Sequence, residues 1–193
     1  MVEHCPDSTD VGSSNLSSRT ILRDSMNYKE RRTETHVYFV GGPFSQWYAS
    51  PFEAKILDRG PYKFNCCEQY MMAGKALAFN DEAVFNAIMR ETNPRKHKEL
   101  GRQVRNFDPD IWNLIAREIV YEGNVAKFTS TDELKNYILD TNDLYMVEGA
   151  VYDAVWGVKL AWDDPKIEDP ANWQGTNWLG ETLMRVRDKI KES

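Results

Sequence analysis

The sequence predicts an α+β domain that is rich in helix, carries a small sheet and forms one folded unit. Two kinds of segment lead to this class. Segments of β-branched and aromatic residues, such as THVYFV and LYMVEGAVYDAVWGVKL, are typical of strands. Elsewhere, apolar residues recur at helical spacing over stretches such as DPDIWNLIAREIVYEGNVAKF. The 193 residues are enough for one domain with a substantial core.

Residues 1–34 are predicted to form a disordered or loosely docked tail. They are rich in Ser, Thr, Asp and Arg, and their apolar patch at Ile21 and Leu22 is short. A fraying helix near residues 20–32 is the alternative. The domain is predicted to span residues 35–193, and we expect the tail to be removable without loss of folding.

The first elements of the domain are predicted to be strands, and helices follow. The THVYFV strand comes first, then a short strand around Phe52–Leu57, a turn at Asp58–Pro61 and another short edge. Helices are predicted over about Cys67–Phe79 and Asp81–Glu91. A short basic helix that ends near Gly101 and the long periodic stretch DPDIWNLIAREIVYEGNVAKF complete this part of the domain.

The last third of the chain is predicted to contain two helices separated by strands. Ser130 and Glu133 stand in capping-box register, which predicts a helix start. The segment LYMVEGAVYDAVWGVKL is predicted as strand, turn and strand. The last helix is predicted to begin near Asn177, a good N-cap residue. Its buried stripe is predicted to contain Leu179, Leu183, Val186 and Ile190.

Composition and charge exclude several classes of function. The chain is 41% apolar and 28% charged, as is typical of soluble globular proteins, and no run of eighteen apolar residues suits a membrane span. The first residues lack the basic and apolar regions of a secretory signal, so a cytoplasmic protein is expected. A net charge of −6 argues against broad binding to a phosphate backbone, whereas a single nucleotide in a pocket is compatible with it.

The three cysteines predict neither a disulfide nor a metal site. Cys66 and Cys67 are adjacent, so their Cα atoms are about 3.8 Å apart, below the usual disulfide range. No paired Cys or His spacing typical of a metal site occurs. We therefore expect reduced cysteines that serve packing, and no metal or cofactor.

The helix predicted in CCEQYMMAGKAL places Glu68, Met71, Met72 and Lys75 on one stripe, because seven residues span almost two turns. One interpretation is the wall of a pocket with an apolar floor. The other is a Glu and a Lys that extend past core methionines to solvent, which is the commoner outcome for such a stripe taken alone.

A second acidic cluster lies in MVEGAVYDAVWG, where Glu148, Asp153 and Trp156 are close in sequence. Carboxylates and an amine in an aromatic cleft suit cleavage of a glycosidic bond. A lysine could instead attack the anomeric carbon and give a Schiff base. The alternative is that the carboxylates cap turns and pair with arginines.

Arginines and aromatic residues elsewhere predict a site for a nucleotide. Arg102 and Arg105 suit contacts to phosphate, and Trp112, Trp47 and Tyr48 could stack on a base. The alternative is a core role for Trp112 and solvated arginines.

Six segments, taken in order, resemble the NADAR family, also called YbiA-like. They are GPFSQWYASPF, CCEQYMMAGKA, LGRQVRNFDPDIW, GNVAKF, ILDTNDLYMVEGAVYDAVWG and GTNWLGETLMRVR, and the likeness covers about residues 36–190. Each is weak alone, but six in this order are specific. The chain departs from the pattern at Lys159, where many relatives carry glycine, and at Gln46, where many carry asparagine. The first departure bears on the choice of substrate.

The resemblance implies a helix-rich α+β domain that cleaves N-glycosidic bonds in phosphoribosyl or ADP-ribosyl compounds. The implied substrate is either an early riboflavin-pathway intermediate or ADP-ribosylated guanine, including one modified nucleotide in a nucleic acid. A non-catalytic sensor of ADP-ribose or NAD is the alternative, and a purely structural protein is a third.

The resemblance also implies roles for particular residues. Glu68 is the expected acid/base or water-orienting group, Asp153 the partner of the ribose hydroxyls, and Lys75 or Lys127 the amine if a Schiff base forms. The expected substrate-binding residues are Trp47, Arg102, Trp112, Glu148, Trp156, Gly157, Asn177 and Gly180, with Arg102 and Asn177 on phosphate and Trp47 and Trp112 on the base.

Overall fold

The computed structural model describes residues 29–193, which form two small sheets surrounded by helices. The strands are β1 (Lys29–Arg32), β2 (His36–Val40), β3 (Phe52–Ile56), β4 (Arg59–Phe64) and β5 (Tyr145–Glu148). The helices are α1 (Cys67–Ala78), α2 (Glu82–Arg90), α3 (Pro94–Gly101), α4 (Pro109–Phe128), α5 (Asp132–Leu139) and α6 (Trp178–Lys191). The predicted α+β class, rich in helix with little sheet, is confirmed.

The larger sheet brings three strand ends to one edge. β2 lies in the middle, antiparallel to β1 and parallel to β5. The carboxyl ends of β2 and β5 therefore lie side by side, with Phe39 opposite Glu148. The first residue of β1, Lys29, pairs with Val40 at the same edge. This edge is where the candidate site lies, because the chain leaves β2 and β5 there in two irregular loops.

Helix α1 lies at the centre of the molecule, packed by α2, α3 and α4. Every residue from Cys67 to Gly74 is buried, including Glu68 and Gln69. A helix that is buried on all sides carries no single apolar face, so its polar residues must find partners or line a cavity. Gln69 does the first, since its amide donates to the carbonyl oxygen of Ile88 at 3.0 Å. Glu68 does the second, as described below.

The prediction of a second strand after β5 is wrong. Residues 149–157 form a loop instead, which closes where the Val158 N–H donates to the carbonyl oxygen of Glu148 at 3.0 Å. The carbonyl groups of residues 154–157 accept hydrogen bonds from the backbone N–H groups of residues 176–179. They satisfy the N–H groups at the start of α6, which would otherwise lack partners, and are not available for a strand ladder.

Of two predicted helix caps, the one at Ser130 is wrong, whereas Asn177 occupies the predicted N-cap position without making a side-chain cap. The N-cap of α5 is Thr131, which accepts from the Leu134 N–H at 3.2 Å, while the Ser130 hydroxyl donates to the carbonyl oxygen of Lys127 at 2.7 Å. At the start of α6, Asn177 makes no side-chain cap and adopts a left-handed conformation, with φ of 53°. The loop carbonyl groups already cap this helix, which leaves the Asn177 side chain for another role.

Strand β1 falls within the predicted tail and is fixed to the domain. The Arg32 guanidinium donates to the backbone oxygen of Asp140 at 3.1 Å and to its carboxylate at 2.9 Å. The Tyr137 hydroxyl donates to Glu30 at 2.5 Å. The ordered domain therefore begins at or before Lys29, and residues 29–32 are strand and not helix. The rest of the predicted tail, residues 1–28, lies outside the described residues.

None of the helices between residues 29 and 193 is both long and apolar enough to cross a membrane.

Deletion of residues 1–34 is now expected to destabilise the domain, because it removes β1 and the partners of Tyr137 and Asp140. We expect a loss of about 2–4 kcal/mol in the free energy of unfolding, measured by urea denaturation. A chain that begins at Lys29 keeps all the contacts described above and serves as the control. Equal stability of the two truncated chains would contradict the role assigned to β1.

Candidate active site

A cavity of about 820 Å³ opens at the sheet edge where β2 and β5 end. Its aromatic lining comes from four elements or loops and consists of Trp47, Trp112, Tyr152, Trp156 and Trp178. Met71 and Met72 of α1 contribute apolar surface. The charged side chains that line it are Lys29, Glu68, Lys98, Glu148 and Asp153. Three carboxyl groups thus share one aromatic-walled space. Of the α1 stripe, Glu68, Met71 and Met72 line it and Lys75 does not.

Glu68 lies in the first turn of α1 and is only 4% exposed. Its backbone N–H donates to the carbonyl oxygen of Gln46 at 2.9 Å, and Trp47 lines the same cavity. One of its carboxyl oxygens, Oε1, is buried without a hydrogen-bond partner among the described residues. Burial raises the pKa of this carboxyl group to about 7, although Lys98 and the Trp47 indole act in the opposite direction.

Glu148 ends β5 and faces the same cavity. Its backbone N–H donates to Asn177 Oδ1 at 3.0 Å, and its Oε2 is buried without a partner among the described residues. Burial raises the pKa of the Glu148 carboxyl group to about 8, and the negative charge of Asp153 adds to the rise, while Lys98 opposes it. Glu148 therefore retains its proton at neutral pH.

Asp153 is held rigidly in the loop after β5. Its Oδ1 accepts hydrogen bonds from the N–H groups of Val155, at 3.0 Å, and Trp156, at 2.8 Å. Its Oδ2 lies 3.9 Å from the ammonium nitrogen of Lys98 on α3. The site thus combines a carboxyl group that keeps its proton with a fixed carboxylate, which is the pairing that acid/base cleavage of a glycosidic bond needs.

Lys98 and Trp178 line the cavity but were not predicted from the sequence. Lys98 lies one turn before Arg102, on the predicted basic helix, so helical spacing could have suggested it. Trp178 directly follows Asn177 and packs edge to face on Trp156, with ring centroids 5.8 Å apart. No local pattern in the sequence separates Trp178 from an ordinary core tryptophan.

Lys75 and Arg102 lie beside the cavity but do not line it. The Lys75 ammonium nitrogen lies 3.8 Å from the centroid of the Phe107 ring and 5.8 Å from that of Trp112. Burial lowers the pKa of this amine, and the positive charge of Arg102 lowers it further. The exposed guanidinium of Arg102 also lowers the pKa of Glu68. Arg102 therefore influences Glu68 through its charge, whereas Lys75 lies against Phe107 and near Trp112.

Lys127 is fully buried under one wall of the cavity. Its ammonium group donates to the carbonyl oxygen of Ser45 at 2.9 Å, and burial lowers its pKa. Ser45, Gln46 and Trp47 line the cavity, whereas Lys127 does not. The geometry gives this lysine a supporting position beneath the wall that carries Trp47.

Three further predicted residues form the scaffold behind the cavity and do not line it. Asn177 bonds to two backbone groups on one side of β5: its Nδ2 donates to the Met146 oxygen at 2.9 Å, and its Oδ1 accepts from the Glu148 N–H at 3.0 Å. A Cβ on Gly180 would lie 2.0 Å from the same Met146 oxygen, and one on Gly157 would lie 2.9 Å from the Glu148 oxygen. These glycines allow α6 and the loop to approach β5 closely.

Lys159 does not narrow the cavity. It is exposed, lies outside the lining and adopts a left-handed backbone with φ of 58°. Glycine accepts this conformation without cost, which explains its use at this position in relatives. The substitution therefore affects backbone strain and leaves the cavity lining unchanged.

The two described cysteines are packing groups. Burial raises the pKa of the Cys67 thiol to about 12, and its Sγ lies 3.6 Å from the Gly123 oxygen as a donor. Cys66 is buried 3.8 Å from a ring nitrogen of His97. Between residues 29 and 193, no group of three or more His, Cys, Asp and Glu side chains is placed to hold a metal ion.

Replacing Glu148 with Gln is expected to stabilise the protein in mild alkali. The carboxyl group titrates near pH 4.5 when unfolded and near 8 when folded, so folding stability falls as pH rises between these values and is then constant. Gln does not ionise, so the variant does not lose this stability as pH rises. We expect a gain of about 1–3 kcal/mol over the parent protein at pH 8.5 and little gain at pH 4, from urea denaturation. Glu133→Gln, on an exposed helix turn, is the control. An equal gain at both pH values would contradict the raised pKa.

This chain resembles proteins of one family in sequence and in fold. The NADAR domain model matches residues 34–191. The chain is 34% identical to protein irg-1 of Caenorhabditis elegans over 174 residues, covering 83% of this chain and 82% of that one. It is 37% identical to an N-glycosidase of Acanthamoeba polyphaga mimivirus over 169 residues, covering 83% of this chain and 99% of that one.

A solved structure has the same fold. The NMR structure of the Escherichia coli protein YbiA superposes with a TM-score of 0.67 at 24% identity, covering 85% of this chain and 89% of YbiA.

Proposed function

Since the chain belongs to the NADAR family, we propose that it is an N-glycosidase that hydrolyses the bond between ribose and a base. The proposed substrate is a ribosyl-phosphate or ADP-ribosyl conjugate, either a riboflavin-pathway intermediate or ADP-ribosylated guanine. Relatives named N-glycosidase, such as the mimivirus protein, support the type of reaction. The choice of substrate rests on the cavity itself.

The observation that carries the proposal is the pair of buried carboxyl oxygens, Glu68 Oε1 and Glu148 Oε2, that lack partners beside one cavity. A buried polar atom without a partner costs about 1–3 kcal/mol, so such atoms are commonly completed by a ligand. Vicinal ribose hydroxyls would complete both. The surrounding indole rings suit a flat base, which binds by stacking.

The carboxyl groups divide the chemistry between them. Glu148, which holds its proton at neutral pH, gives it to the base nitrogen as the bond from that nitrogen to the anomeric carbon breaks. The fixed Asp153 carboxylate stabilises the positive charge that develops on the sugar. Glu68 takes a proton from the attacking water, whose oxygen forms the new bond to the anomeric carbon. The base leaves neutral and the sugar gains a hydroxyl group.

Cations that line the cavity suit the phosphate of the substrate. Lys98 and Lys29 supply positive charge inside the lining, and Arg102 supplies it just outside. Lys75 and Lys127 lie outside the lining, on an aromatic ring and on the Ser45 oxygen. Lys98 and Lys29 are therefore better placed than Lys75 and Lys127 to contact the sugar directly.

Incubation with ADP-ribosylated guanosine and, separately, with the riboflavin-pathway intermediates tests the proposal, with chromatography of the released base. Release of free guanosine or of a pyrimidine supports it and selects the substrate. Tight binding of ADP-ribose in calorimetry, together with no released base from any substrate, would show that the protein is a sensor module and not an enzyme.

A further inference from the structure

Gln46 is a third polar residue of the cavity lining with a buried, unpartnered oxygen. The residue is 7% exposed, and its Oε1 has no hydrogen-bond partner among the described residues. It stands next to Trp47, and its backbone oxygen accepts the hydrogen bond from the Glu68 N–H. Gln46 therefore belongs to the short segment that holds the backbone of Glu68.

A hydrogen-bond network fixes which end of the Gln46 amide is free. Asn124 Nδ2 donates to the Val120 oxygen, one turn earlier on α4, at 2.8 Å, so Asn124 presents Oδ1 on its other side. That oxygen accepts from Gln46 Nε2 at 3.3 Å and from the thiol of Cys67 at 3.6 Å. The reverse orientation of Gln46 would set two amide oxygens against each other. Oε1, a pure acceptor, is therefore the atom that lacks a partner.

We propose that Gln46 is a specificity-determining residue that accepts a hydrogen bond from an N–H group of the leaving base. This inference rests on the proposed function. A ribosyl group bonded at its anomeric carbon and phosphorylated at its 5-position has two free hydroxyls, which the two unpartnered carboxyl oxygens match. The Gln46 oxygen is a third acceptor, so its donor comes from the base, next to the bond that breaks. The site thus selects amino-substituted bases.

The test uses two N-ribosyl 5-phosphates of one pyrimidine, with an amino group or a hydrogen atom next to the glycosidic nitrogen. Wild-type protein is expected to prefer the amino compound by about tenfold or more in kcat/KM, as is usual when a buried acceptor loses its donor. Gln46→Met, of similar size without an acceptor, should reduce the preference to about twofold or less.

Asn86→Leu is the control, because it removes an amide at an exposed position of α2 outside the cavity lining. It should keep the wild-type preference. An equal loss in Asn86→Leu, an unchanged preference in Gln46→Met, or no preference in the wild type would each overturn the role of Gln46.

Binding separates this inference from the proposed function. The same pair of compounds is titrated into Glu68→Gln protein by calorimetry. A preference in binding that Gln46→Met abolishes supports the inference even where the wild type releases no base, which would refute only the glycosidase. Equal affinities together with measurable turnover would refute only the role of Gln46.

Discussion

Replacing Glu68 with Gln is expected to lower kcat by about 10²- to 10⁴-fold, the usual contribution of a positioned acid or base. Gln has nearly the same shape and keeps an acceptor oxygen, but it cannot take a proton from water. Because burial already disfavours the ionised form of Glu68, the neutral amide is not expected to destabilise the fold. The loss should therefore appear in turnover and not in thermal stability.

The measurement is steady-state hydrolysis of the substrate selected above, with thermal unfolding of the same sample. Glu53→Gln serves as the control, since it removes an exposed carboxylate on β3 that does not line the cavity. A value of kcat within about tenfold of the parent protein, in a folded variant, would show that Glu68 does not transfer the proton.

Elements with local signals were predictable from the sequence. Helix α1 begins within one residue of the prediction because its periodic stripe and the preceding turn are both local. Glu68, Met71 and Met72 of the stripe line the cavity, although the stripe alone did not decide between a pocket and solvent. Lys75 lies seven residues, or about 10 Å, further along the helix axis, which carries it beyond the cavity to Phe107. The sequence therefore predicted which residues share one face of α1, but not how far along the helix axis the cavity extends.

Features that depend on distant partners could not be predicted. Lys98 approaches Asp153 only because α3 packs on α1, across 55 residues of sequence. Trp178 lies beside Trp156 because the carbonyl groups of the loop after β5 accept hydrogen bonds from the first N–H groups of α6. Asn is a favoured N-cap residue, and Asn177 does occupy the N-cap position of α6. Its side chain makes no capping hydrogen bond, because carbonyl groups of the loop already accept from the first N–H groups of the helix.

Asn177→Ala is expected to lower the free energy of unfolding by about 2–4 kcal/mol and to impair catalysis as well. β5 is an edge strand, and the Asn177 side chain takes the place of a neighbouring strand. Its amide donates to the Met146 oxygen and accepts from the Glu148 N–H, both groups on the same side of β5. Alanine leaves two buried backbone groups unpaired. Alanine also removes the hydrogen bond that holds the backbone of Glu148, the proposed acid, so kcat should fall together with stability.

A glycine variant separates the two contributions of Asn177. Alanine at φ of 53° adds a backbone cost of about 1–2 kcal/mol, whereas glycine adopts this conformation freely. Asn177→Gly should therefore recover the backbone part of the loss in urea denaturation and none of the loss in kcat. Asn86→Ala, at an exposed position of α2, controls for the loss of an amide. Full recovery of kcat in Asn177→Gly would mean that the amide does not hold Glu148, because glycine restores the backbone while leaving both strand groups unpaired.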